Sequence, residues 1–120
     1  MKEQEGNGFD IKSHFDGKEE VVRKTYDELL KVLRKRYPIT ESSKKKSIHL
    51  MHATTLAGVS ARQNCLILTI KSDCMLSSPR IRKSEQVSRN RFHLKLKLSS
   101  PEDVNPELIN WLDNAYTLSA

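Results

Sequence analysis

Residues 90–98, NRFHLKLKL, carry the clearest alternation in the chain. Phe92, Leu94, Leu96 and Leu98 take one set of alternate positions, and Arg91, His93, Lys95 and Lys97 take the other. Successive strand side chains point to opposite faces, so this pattern predicts a half-buried strand, apolar inward and cationic outward. Elsewhere the period changes. Val22, Tyr26, Leu29, Leu30, Leu33 and Tyr37 recur at helical spacing and predict a helix over residues 18–37. Lys24, Asp27, Glu28, Lys31 and Arg34 line its other side. Asp16 and Glu19 have the spacing of a capping box, with Phe15 in the position of a hydrophobic staple. Arg34, Lys35 and Arg36 complement the dipole at the far end, and Pro38 stops the helix.

Between these two segments the pattern predicts further strands. Ile48 and Leu50 point inward in a strand over residues 47–53, leaving His49 and Met51 outward. Residues 55–62 form a second strand whose inner face is either Leu56 or the set Ala57, Val59 and Ala61, and Gly58 weakens the pattern. Residues 65–71 are apolar on both faces, as a central strand is. Residues 40–46 and 72–79 read as loops, and residues 80–87, with Arg82, Lys83 and Glu85, as a weak edge strand. Ser100, Pro101, Glu102 and Asp103 signal a helix start, and Asn105, Pro106 and Glu107 repeat it, so the main helix begins after one short turn. Leu108, Leu112, Ala115 and Tyr116 are its stripe. The predicted fold is α+β: an N-terminal helix, an about five-stranded, mostly antiparallel sheet and a C-terminal helix, with both helices packed on one sheet face. Residues 1–12 lack periodicity and are expected to be a flexible tail before a single domain over residues 13–120.

Composition narrows the function classes. A chain of 120 residues suits one core. Its longest apolar run, residues 65–70, is far short of the roughly 20 residues a bilayer span needs, and its first residues lack an apolar leader. A cytoplasmic location without membrane insertion is therefore expected. Cys65 and Cys74 match neither a zinc knuckle nor a redox pair, and free thiols are expected. His49 and His52 are three apart on a strand and point to opposite faces. With His14, His93 and the cysteines they give no metal spacing, so no metal and no cofactor is expected. There is no nucleophile elbow and no glycine-rich phosphate loop, so no catalytic residue is assigned.

The formal net charge is +6, and the cations cluster late in the chain. Arg80, Arg82, Lys83, Arg91, His93, Lys95 and Lys97, with Arg89, are opposed by Glu85 alone. If residues 80–87 pair with residues 92–98, the outward side chains form one patch suited to phosphates or carboxylates. Such neighbours are expected to lower the pKa of His93 and keep it neutral near pH ~7. These seven residues are the candidate anion-binding set of a non-enzymatic module. Its partner would be a nucleic-acid backbone, an acidic protein surface or a phosphorylated small molecule. No aromatic side chain is left over to stack on bases, which disfavours single strands. One alternative is an enzyme with His93 as general base and Arg80 or Arg82 orienting an anion. Another is a protein-interaction module that dimerises, as a homodimer for example, through a strand edge or sheet face.

Several segments together resemble a known family. They are His14 to Lys18 (HFDGK), Ser78 to Lys83 (SPRIRK), Asn90 to His93 (NRFH), and SPEDVNPELINWL from Ser100, with Ala115 and Tyr116. They resemble a bacterial family known only as a domain of unknown function, some of whose members carry the label "predicted transport protein". The likeness runs over residues 13–116. It implies a fold unit and carries over no catalytic residue. Without a membrane segment, a transport role would be that of an accessory.

Overall fold

In a computed structural model of the chain, residues 11–76 and 78–118 are described. Six strands form one sheet: β1 (Thr40–Ser43), β2 (Ile48–Met51), β3 (Thr55–Ala61), β4 (Leu66–Ser72), β5 (Ile81–Ser88) and β6 (Arg91–Leu98). Their order is β1-β2-β3-β4-β6-β5, and every neighbouring pair is antiparallel. Helix α1 (Glu20–Arg36) precedes the sheet and helix α2 (Pro106–Leu118) follows it. Single 3-10 turns at Ile11–Phe15 and Pro101–Asp103 lead into the two helices. The expected α+β class and the helix–sheet–helix order stand, with six strands in place of about five. Of the expected tail over residues 1–12, residues 1–10 lie outside the described residues, whereas Ile11 already packs against the core.

The central strand β4 alternates buried and half-buried positions along its length, with Leu66, Leu68, Ile70 and Ser72 inward. The β4–β6 register sets Leu66 opposite Leu98, Leu68 opposite Leu96 and Ile70 opposite Leu94. All six of these leucine and isoleucine side chains are buried, in one cluster with the stripes of both helices. Leu29 and Leu33 of α1 and Leu108 and Leu112 of α2 belong to it, so both helices cover the same sheet face. Burying such side chains stabilises the fold by roughly 1.5–3 kcal/mol each.

Three local expectations need correction. Residues 40–46 contain β1, an edge strand missed because its inward positions are polar. Glu41 accepts from the buried Tyr26 hydroxyl and from Arg34 at 3.3 Å, and Ser43 bonds His14 at 2.8 Å. Tertiary partners, not alternation, hold this strand in place. The start of α1 is not a side-chain capping box either. Glu19 is itself the cap residue and makes no side-chain cap bond. Its N–H donates to Gln63 O at 2.9 Å, while Gly17 reverses the chain at φ 76 and its carbonyl accepts from Gln63 Nε2 at 2.9 Å. A positive φ suits glycine, which has no Cβ to clash. Finally, both candidate inner faces of β3 are used. Leu50 pairs with Ala57 but Met51 pairs with Thr55, so Leu56 is the extra residue of a bulge and is buried alongside Ala57.

Helix α2 begins as the repeated signal predicts. Asn105 Oδ1 accepts from Leu108 N at 3.1 Å, an N-cap bond ahead of Pro106. Asp103 Oδ2 ties the preceding turn to Ser99 N at 2.7 Å.

Candidate sheet-face site

The face of the sheet away from the helices is built from three cross-strand rows. The longest runs Lys83, Lys95, Thr69, Gly58, His49 and Ser42, from β5 to β1. A second runs Glu85, His93 and Lys71, and a third Lys97, Ile67 and Ser60. Leu94, Leu96 and Leu98 are fully buried while Lys95 and Lys97 are exposed, as the alternation in β6 requires. Lys83 stands directly across from Lys95. Directly opposed like charges repel. Among the described residues Lys83, Lys95 and Lys97 form no ion pair, and every ion pair present involves a helix residue or Arg80.

In the middle of this face lies an open depression of about 380 Å³. Its floor is the β3 backbone at Gly58 with the side chain of Ile67, and Thr69, Lys71, His49 and His93 stand around it. Gly58 leaves the floor open. A Cβ built there meets only His49 Cδ2, at 4.0 Å, and the φ of Gly58 lies outside the range that L side chains avoid. Neither sterics nor backbone demands this glycine, although a strand-interior glycine costs roughly 0.5–1 kcal/mol relative to alanine.

Two groups around the depression hold their charge less readily than usual. Burial, then the nearby Lys44, lowers the pKa of His49. Burial, then Arg91, lowers that of Lys71, whose Nζ donates to Thr54 Oγ1 at 2.9 Å. A bound anion would offset both penalties. At one end of the sheet Ser60 is shared with a second depression of about 520 Å³. That one is lined by His14, Lys18, Lys45, Lys46 and Arg62 and by no carboxylate. His14 is pinned there by Ser43, and its pKa is lowered by burial, against a raising backbone bond from Lys44, and by Lys18.

Of the seven residues proposed from the sequence, Lys83, Arg91, His93, Lys95 and Lys97 share the outer face by register. Arg82 is exposed and is the unpaired residue where the register shifts between Ile81 and Lys83. Arg80 is elsewhere. It precedes β5, so strand alternation does not direct it outward. Its guanidinium donates to Asn105 Oδ1 at 2.8 Å, Glu107 Oε1 at 3.1 Å and the Asp103 carbonyl at 2.7 Å, and lies 5.8 Å from the Trp111 ring centre. It is a clamp on the start of α2. His93 has the carboxylate residue Glu85 across from it as well as Lys71, so its neighbours are not uniformly cationic. Gly58, Ile67, Thr69 and Lys71 are not among the site residues proposed from the sequence, and His49 is placed outward there but considered only as a metal ligand, since these residues come together only through the strand order. Lys18 and Arg62, which line the second depression with Lys45 and Lys46, are equally absent from that set.

His52 is withdrawn from this face, 4.4 Å from Tyr116, which in turn stacks on Tyr37 at 4.0 Å. Cys65 is buried and Cys74 exposed, both as free thiols. Among the described residues no three His, Cys, Asp or Glu side chains converge as a metal would need, and no helix is long and apolar enough to cross a membrane. Comparison with curated proteins and with solved structures returns no match. A family profile does match, over residues 11–119, which is nearly the whole chain of 120 residues. The protein belongs to the DUF5655 family, a domain of unknown function.

Proposed function

We propose that this domain is a non-enzymatic binding module whose outer sheet face holds the phosphate backbone of a nucleic acid. The observation that carries the reading is the opposed pair Lys83 and Lys95, continued by Lys97, with no carboxylate paired to any of them among the described residues. Lysines arranged this way repel one another until an anion lies between them. Their heads are exposed, and lysine binds phosphate as a point charge without demanding a fixed geometry. The polar depression with Lys18, Lys45, Lys46 and Arg62 extends the same surface beyond Ser60. Such contacts position a backbone and read no sequence. An enzyme built on His93 and Arg80 is less well supported, because Arg80 is engaged at α2 and no carboxylate lines the depression beside His93.

A salt titration of binding to duplex DNA, single-stranded DNA and polyglutamate tests this. Three or four neutralised phosphates give a log–log slope of about −3 on duplex DNA. Little sequence preference is expected. Affinity independent of salt, or binding to polyglutamate in preference to both nucleic acids, would contradict the reading; the second result would point to an acidic protein as partner.

A further inference from the structure

The depression at Gly58 has a property that phosphate binding alone does not use: its floor is apolar. Ile67 and the bare β3 backbone at Gly58 form it, while the cations Lys71 and Lys95 stand at its side and on its row. The open space is made by a glycine that neither its φ nor its neighbours require. Glycine inside a strand loses packing and backbone entropy, and it commonly marks where a ligand approaches the backbone closely. The flanking side chains are two imidazoles, His49 on β2 and His93 on β6, with β3 and β4 between them. Three strand spacings separate those backbones by roughly 14 Å. The volume of about 380 Å³ falls within the roughly 300–1,000 Å³ of sites for small ligands.

An apolar floor, flat flanking rings and a cationic row beside them are the parts that hold an unstacked base next to its own phosphate. We infer that the Gly58 depression receives one unstacked nucleobase of a single strand whose phosphates lie along Lys95 and Lys83. This rests on the nucleic-acid reading above and sharpens it, since it makes single strands the favoured partner. It also reverses the expectation from the sequence, which looked for Phe, Tyr or Trp on this face. The histidines and the glycine supply the platform instead.

The test measures labelled oligothymidylate and oligoadenylate, and the duplex they form, against the intact chain and two variants. Gly58→Val should fill the floor and weaken single-strand binding about tenfold, with duplex binding unchanged. Gly58→Ala should give a smaller loss in the same direction, and circular dichroism checks that both variants fold. A second readout needs no variant: a single strand carrying 2-aminopurine should brighten on binding as a base leaves the stack. Unchanged single-strand affinity in folded Gly58→Val, an equal loss on duplex, or no 2-aminopurine response overturns the base pocket and leaves backbone binding standing. Absence of binding to every nucleic acid by the intact chain overturns both.

Discussion

The two faces of this sheet treat charge in opposite ways. On the helix side each cation that reaches across the fold meets an acid. Arg34 pairs with Glu41 at 3.3 Å, Arg36 with Asp113 at 2.6 Å and Arg80 with Glu107 at 3.1 Å. On the outer face Lys83 faces Lys95, and neither has an ion-pair partner among the described residues. Both faces are made by the same strands, with β6 contributing Leu94, Leu96 and Leu98 to one and His93, Lys95 and Lys97 to the other. The helix side is organised for its own stability, and the outer side leaves its charge available.

The largest effect should separate the faces along β6. Leu96 is fully buried opposite Leu68, so Leu96→Ala should cost about 2–5 kcal/mol in urea unfolding. Lys95→Ala, one residue away, should leave stability unchanged or slightly raised. Comparable losses from the two would break the comparison. Arg80 comes next. Arg80→Ala should cost about 1–3 kcal/mol, because the partly buried Asn105 and the Asp103 carbonyl lose a charged donor. Lysine should rescue little, since it has no planar fork. A mild effect on unfolding with a large one on nucleic-acid binding would instead return Arg80 to the binding set.

Lys83→Glu sharpens the comparison from the other side. It replaces a like-charge pair by an opposite one and should add about 0.2–1 kcal/mol of stability while weakening binding. The smallest effect is on pH. His14 and His49 both have pKa values below 6.5 in the fold, mainly through burial. The unfolded chain then binds more protons, so stability falls as pH drops through the ordinary histidine range. The urea midpoint should be lower near pH ~5.5 than near pH ~7.5, and the double variant His14→Gln with His49→Gln should flatten that slope. A midpoint that rises on acidification would contradict the assigned burial.

What the sequence made legible is what local periodicity encodes. The stripe of α1, the alternation of β6 and the delayed start of α2 all reappear, because each is fixed by residues a few positions apart. The edge strand β1 was hidden because Glu41 and Ser43 are satisfied by Tyr26, Arg34 and His14, remote in sequence. The cations of β5 and β6 were legible as a patch because those two strands are joined by a tight turn and pair with each other. Arg80 was misplaced by extending strand alternation one residue beyond the strand. The depression was not legible at all. Gly58, Thr69 and Lys95 become neighbours only through the order β3-β4-β6, and Gly58 read as a weakness in a strand.

The most direct test of the outer face is a charge-matched comparison by fluorescence anisotropy at fixed moderate salt. One variant carries Lys83→Glu with Lys95→Glu. The other carries Lys31→Glu with Lys35→Glu, two exposed positions on α1, and so has the same net charge. If the outer face holds the nucleic acid, the first variant loses binding and the second keeps most of it. Equal losses would mean that net charge alone governs the interaction, and the outer face would have no special role.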